Sequence, residues 1–451
     1  MKTFNPTLGI ALLTVSVALC ACGGGGSSTS NSGIDWPATP SWPVSPTPTP
    51  PSPSPSPSPS PSVGTSNAVP IVVDQSMAGV NQPAVTITLC PPGTANTSQC
   101  VTVKNMLVDT GSVGVRVTSS ALTDALKSQL LTQFGASDDK IGNAPIVECA
   151  MFASGYTWGP IKRADVTIGS KKASNLPIQV IGDGGYTVPS DCMSRGGPNL
   201  GSLLGSHGNY AFNGIVGIGH SVRDIATVAQ TLIPATYYYC PSTNSCASTR
   251  VPLAKQVMNP VAAFSTNNNG TIIRLPALSA GGQASVTGEL IFGVGTQQNN
   301  ALPSNPTILA VDGNGFFTTQ YQGRAIINSA IDSGTNGYAF SDTTIPTTGE
   351  WYTPSGALSL SATMEATNGS GSPVAVPFSI GNAANAMASG YAAYDNVGTY
   401  LTSLPVYDVS TDTMLSEEGF LWGLPFFYGR SVYTVLENAK VGTQAGPFVA
   451  F

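Results

Sequence analysis

A mostly β chain of two lobes is what the sequence predicts, and three observations predict it. Charged residues make up only 9% of the chain, against about 25% in an ordinary globular protein, so the solvent face of helices has little to be built from. The 50 glycines, with abundant Ser, Thr and Asn, favour strands and turns. Behind an N-terminal stretch with little to bury, residues 68–451 remain, enough for two substantial cores. Net charge is −6, and Lys2 and Lys104 are the only basic residues up to position 104, which argues against nucleic acid as a partner. The two histidines, His207 and His220, stand outside any HExxH, and GxxxxGK[ST] and G-x-S-x-G are missing. Zincins, P-loop NTPases and elbow-type serine hydrolases are thereby set aside, and no cofactor or metal is expected.

The N-terminus reads as an export signal. Lys2 precedes the apolar run Leu8–Leu19, too short to span a bilayer as a mature helix. Leu19-Cys20-Ala21-Cys22-Gly23 resembles a bacterial lipobox, so a signal peptide is expected over 1–21 with Cys22 lipidated. Cys20 is the weaker candidate, because Leu19 would fill the small-residue position; a plain secretory signal cleaved near Ala21 is the alternative. Gly23 after the Cys, where Asp would retain the protein, points to the outer membrane of a Gram-negative envelope, facing periplasm or cell surface. Residues 22–67 then form a tether. Pro recurs at nearly every second position from Asp35 to Ser62, and at ~3.1 Å per residue in polyproline II this stalk would reach roughly 90 Å.

Two lobes are expected, 68–265 and 266–451. Strands are read at Ala84–Leu89, Asn105–Val108, Asp165–Ile168, Leu176–Ile181, Thr271–Leu275, Glu289–Phe292, Thr307–Val311 and Ser431–Leu436. Ser120–Phe134 carries Leu122, Leu126, Leu130 and Phe134 at helical spacing, with Ser120 as cap and Gly135 as stop. Asp224–Leu232 and Leu253–Met258 are shorter helical stretches. Six further cysteines, an even number in an exported chain, point to disulfides. Sequence order suggests Cys90–Cys100 and Cys240–Cys246 as local loops, leaving Cys149–Cys192; metal ligation, the rival, lacks a CxxC pair.

One pattern occurs twice. Met106-Leu107-Val108-Asp109-Thr110-Gly111-Ser112 and Ala330-Ile331-Asp332-Ser333-Gly334-Thr335 each run an apolar strand into Asp-[Ser/Thr]-Gly-[Ser/Thr]. A single copy would read as a strand-ending turn. Two copies, 223 positions apart, read as a pair. Carboxyls brought within ~3 Å share one proton and titrate together. The ionised member can take a proton from water while the protonated one polarises a peptide carbonyl. Asp109 and Asp332 are therefore the candidate catalytic residues, supported by Thr110, Gly111, Ser112, Ser333, Gly334 and Thr335. Activity is expected between about pH 3 and 5, where one proton remains on the pair.

On these residues the chain resembles the pepsin-like aspartic proteases. That family follows each Asp loop with an apolar-apolar-Gly strand. Ile215-Val216-Gly217 and Leu421-Trp422-Gly423 match it, 108 and 91 positions after Asp109 and Asp332. Gly288–Gly295, with Glu-Leu-Ile-Phe-Gly, looks like the strand and turn opening the second lobe. Tyr433-Thr434-Val435 and Ala439-Lys440-Val441-Gly442 are similar to the closing strands. The resemblance covers Val69–Phe451 and implies a bilobal β-barrel acid-protease fold acting on a peptide or protein substrate; a monomer is expected. The lipobox, Gly-rich start and Asp loops together also resemble a Gram-negative lipoprotein family catalogued as a domain of unknown function, which brings no activity with it.

Against that family, Phe152 falls in the slot of the flap Tyr, counting back from Val166-Thr167-Ile168-Gly169. It would keep an apolar lid without a hydroxyl donor. Tyr156 and Trp158 are the neighbouring flap candidates; Trp158 either shapes a subsite or packs on the next strand. Arg116 stands where the family usually has Trp, and no basic prosegment latch is expected before Lys104. Asp74, Asp165, Asp183, Asp312, His207 and His220 read as structural. Two functions follow: a lipid-anchored aspartic endopeptidase, or a non-catalytic pepsin-fold binding or structural lipoprotein of the envelope. The retained Asp pair separates them, since a binding cleft has no need of buried like charges.

Overall fold

Two copies of one strand arrangement organise the chain. The computed structural model describes residues 67–451 except 95–96, 195–196, 205–210 and 409–412. The signal peptide, Cys22, the tether up to Ser66 and His207 lie outside the described residues. In the first copy, Val101–Asp109 runs parallel to Gly214–Ile218, with Asp109 opposite Gly217. Val113–Thr118, leaving the Asp loop, runs antiparallel to that same strand. In the second, Arg324–Ile331 is parallel to Gly419–Trp422 and Tyr338–Phe340 is antiparallel to it. Each Gly strand is thus threaded between the two arms of an Asp loop. The outgoing arms continue alike, Val113–Thr118 parallel to Lys171–Ile181 and Tyr338–Phe340 parallel to Gly398–Tyr400.

Six antiparallel strands join the halves in the order Ala68–Val73, Val286–Phe292, Gly270–Arg274, Ser431–Val435, Phe448–Ala450, Ile308–Ala310. Gly288–Phe292 and Tyr433-Thr434-Val435 fall here, as does the first described strand, whereas Lys440–Val441 pairs with Gln444–Ala445 in a separate two-stranded sheet. The fold is mostly β, built from two similar halves, with short α-helices at Asp124–Gln129, Ser190–Met193 and Ala383–Met387 among the described residues.

The strands form where alternation predicts. In Ala84–Cys90 the side chains of Val85, Ile87 and Leu89 are buried while Thr86 is exposed, the period-two pattern of a half-buried strand. The first lobe fills its core with aliphatic residues such as Val103, Val108, Val117, Val166 and Ile178. The second uses rings: Phe340 stacks on Phe420 at 4.9 Å and Phe420 on Trp422 at 4.7 Å. The predicted helix over Ser120–Phe134 is corrected to Asp124–Gln129. Thr123, not Ser120, caps it, accepting from the Leu126 amide at 3.2 Å. Leu122, Leu126 and Leu130 are buried as the spacing requires, but Leu131–Thr132 leaves the helix to pair with Lys162 and Arg163, and Phe134 is 43% exposed. Sheet pairing overrides local propensity there. The stretches at 224–232 and 253–258 shrink to single 3₁₀ turns, Ala226–Ala229 and Leu253–Lys255. All three disulfides are formed: Cys90–Cys100, Cys149–Cys192 and Cys240–Cys246.

Candidate active site

Both Asp loops are built alike. The strand ending Met106-Leu107-Val108 is buried, so Asp109 leaves it already desolvated, at 6% exposure. The Gly111 amide then donates to Asp109 Oδ1 at 2.8 Å and the Ser112 hydroxyl to Oδ2 at 2.5 Å. In the second loop Gly334 donates to Asp332 Oδ1 at 2.8 Å and Thr335 to Oδ2 at 2.6 Å. Each hydroxyl three residues on therefore aims one carboxylate.

The intervening residues clasp the lobes together. Thr110 Oγ1 donates to the Ile331 carbonyl at 3.0 Å and accepts from the Ser333 amide at 2.9 Å. Reciprocally, Ser333 Oγ donates to the Val108 carbonyl at 2.8 Å and accepts from the Thr110 amide at 3.1 Å. All four bonds are buried, where each satisfies a backbone group that water cannot reach.

The glycines mark close approach. A Cβ on Gly111 would stand 2.7 Å from Asp332 Cγ, and one on Gly334 would stand 2.7 Å from Asp109 Oδ1. Each Asp therefore packs on the backbone of the opposite loop. The threaded strands are equally tight: a Cβ on Gly217 would meet the Val113 amide at 2.7 Å, and on Gly423 the Gly337 carbonyl at 2.1 Å. This is the physical reason glycine stands at both positions.

Burial, first, pushes the Asp109 carboxyl up to about 8, and the charge of Asp332 and a hydrogen bond between the two carboxyls push the same way. The Ser112 and Gly111 bonds pull it down and are outweighed. One proton is thus retained on the pair over most of the neutral range.

The three flap candidates lie on the hairpin Ile146–Phe152 and Gly155–Ile168, with Phe152 opposite Gly155. They part company. Phe152 is half-buried and lines a cleft of about 480 Å³ together with Thr110, Gly111 and Ser112. Tyr156 and Trp158 instead pack among Cys149, Cys192, Cys240 and Tyr238. Trp158 donates to the Tyr186 carbonyl at 2.9 Å and meets Tyr238 edge-on at 5.2 Å.

Arg116 holds a different structure from an indole. Its guanidinium is 5.7 Å from the Phe152 ring, donates to the Val113 carbonyl at 2.6 Å, and pairs with Glu148 at 2.6 Å and Asp224 at 3.3 Å. The Tyr237 hydroxyl bonds Asp224 at 2.8 Å. Sequence reasoning singled out Arg116 but not its partners, which lie 32 and 108 positions away. Asn81 was also missed: it bonds the backbone of Tyr394 and the carbonyl of Asn336, each at 2.8 Å, and accepts from Tyr428 at 2.9 Å, tying the first lobe to the chain beside Asp332. Its φ of 54° suits Asn, but nothing local in the sequence distinguishes it.

The other carboxylates serve backbone and ion pairs. Asp74 accepts from Ser76, Asp312 from Asn314 and Phe316, and Asp165 and Asp183 pair with Lys172 and Lys162. Buried His220 donates through Nδ1 to the Val435 carbonyl at 2.9 Å, linking the first Gly strand to the joining sheet.

No curated protein matches the chain. Among solved structures, an aspartic proteinase from Irpex lacteus aligns over 85% of this chain and 96% of its own, at 14% identity and a TM-score of 0.43. That is too distant a likeness to speak for chemistry. A family described as protein of unknown function (DUF3443) matches residues 63–451, which takes in both Asp loops, both Gly strands and the joining sheet, and to this family the chain belongs.

Proposed function

We propose that the chain is an aspartic endopeptidase held to the cell envelope by a lipid on Cys22. The observation that carries the catalytic reading is the closure of the two Asp loops on one another: each Asp packs on the glycine of the opposite loop, each carboxyl is fixed by its own amide and hydroxyl, and both are locked by the Thr110–Ser333 clasp. A pair so fixed has one productive arrangement for a water between its inner oxygens. The ionised carboxylate takes a proton from that water as its oxygen attacks the peptide carbonyl carbon. The protonated carboxyl gives its proton to the carbonyl oxygen, and the tetrahedral intermediate collapses once the leaving nitrogen has been protonated. Because Asp109 is held up to about 8, the form with one proton extends well above the acidic window expected from sequence. Turnover near neutral pH, as in a periplasm, fits that range.

The Gly-rich start, the Pro-rich stretch and the lipobox-like Leu19-Cys20-Ala21-Cys22 support an outer-membrane lipoprotein, for which a monomer acting on peptide or protein segments is proposed. A second reading, a cleft that binds without turnover, is favoured by Phe152, which brings no hydroxyl to the flap. The test is cleavage of an unfolded protein by the full-length chain in detergent, at pH 4 and pH 7. Cleavage abolished by Asp109→Asn and by Asp332→Asn supports the first reading. A folded wild-type chain inert at both pH values leaves the second.

A further inference from the structure

Resting on the endopeptidase reading, we infer that the cleft beside the dyad carries a subsite for a cationic substrate side chain, lysine or arginine, formed by Glu148 and Asp224. Both line the same cleft as Thr110–Ser112 and Phe152, and both side chains are nearly sealed, at 0% and 6% exposure. Among the described residues Arg116 is the one cation ion-paired with them, so two carboxylates face a single positive charge. A buried cluster with one charge in excess is strongly disfavoured. Something must balance it.

A proton on Asp224 can do so. Asp224 is held well above the ordinary carboxylate range by burial, first, and by the neighbouring Glu148 carboxylate. Glu148 Oε1 accepts from Arg116, but its Oε2 has no hydrogen-bond partner. An ammonium or guanidinium group could take the proton's place and supply that oxygen with a donor. Of the surrounding groups, Tyr237 is a neutral donor to Asp224, and Arg223 is turned to the Gln256 carbonyl at 3.2 Å. His220, also on the cleft, is held below the ordinary imidazole range by burial, which outweighs the opposing pull of its bond to Val435 and of Asp312. The remaining walls, from Phe152, Ile225, Ile233, Phe316 and Val406, suit the methylene stem of a long cationic side chain.

The experiment compares two peptides identical except for lysine against norleucine, binding to the full-length chain in detergent. It is run in the Asp332→Asn background, so that turnover does not intrude, and by calorimetry in two buffers of different ionisation enthalpy. Lysine should bind at least about tenfold more tightly, as a charge-assisted hydrogen bond gives, and release about one proton at neutral pH. Norleucine should release none. Glu148→Gln, which keeps an acceptor for Arg116 but removes the excess charge, should lose both the preference and the proton release; Asp224→Asn is the second variant should that one fail to fold. Equal affinities, or lysine preference without proton release, overturn the subsite. The wild type is assayed separately for cleavage. Lysine binding with proton release but no cleavage of either peptide sinks the endopeptidase reading and leaves the subsite. Indifferent cleavage of both does the reverse.

Discussion

Replacing Asp109 by Asn should change stability with a sign that depends on pH. The carboxyl ordinarily titrates at 3.8 and is raised to about 8 in the fold. Between those values the folded state holds a proton that the unfolded chain has released. Stability contributed by this group is therefore complete below pH 4 and drains away as pH rises toward 8, by up to a tenfold shift in the folding equilibrium per pH unit. The ceiling on that loss is roughly 5 kcal/mol at pH 8, and the coupling to Asp332 keeps the real figure below it. Asn cannot ionise and escapes the loss. It still accepts from the Gly111 amide through Oδ1, but it meets the Ser112 hydroxyl with an amide in place of a carboxylate oxygen, at a cost of about 1 kcal/mol. At pH 3 the variant should thus be slightly less stable than wild type, and at pH 8 more stable by a few kcal/mol, with the curves crossing between. Urea unfolding of the full-length chain, disulfides intact, at pH 3, 5, 7 and 8 measures this. A stability difference that does not vary with pH would refute the picture of a buried, proton-sharing pair.

Thr110→Val should destabilise the fold by about 2–3 kcal/mol in urea unfolding, because it strands the buried Ser333 amide and Ile331 carbonyl; a loss under 1 kcal/mol means that the clasp is not formed. Gly111→Ala puts a methyl group 2.7 Å from Asp332 Cγ and should separate the carboxyls, abolishing any cleavage while circular dichroism stays native. Full activity in that variant would mean that the loops do not close on one another as described. Cys22→Ser should shift the chain from the membrane fraction or stall its processing, and a variant still recovered as a lipidated membrane protein refutes the anchor.

The doubled Asp-[Ser/Thr]-Gly-[Ser/Thr] pattern and the two apolar-apolar-Gly strands were legible in the sequence because each is local. A short run of residues encodes a buried strand, a turn that tolerates no side chain, and a hydroxyl three positions from its carboxylate. Cysteine order was readable for the same reason, and so was the β character, which follows from alternation and from the lack of charged residues for helix surfaces. What failed was the extent of the helix after Ser120, where pairing of Leu131–Thr132 with the flap hairpin cut short a local preference. Only the tertiary structure decided which residues meet across the lobes. The packing of each Asp on the opposite Asp loop, the Thr110–Ser333 clasp and the Asn81 tie each join partners more than 200 positions apart. The Arg116 cluster gathers Glu148, Asp224 and Tyr237 from three segments. Local propensity carries no information about such pairs. The proton that each holds is set by burial and proximity, which exist only once the lobes have closed.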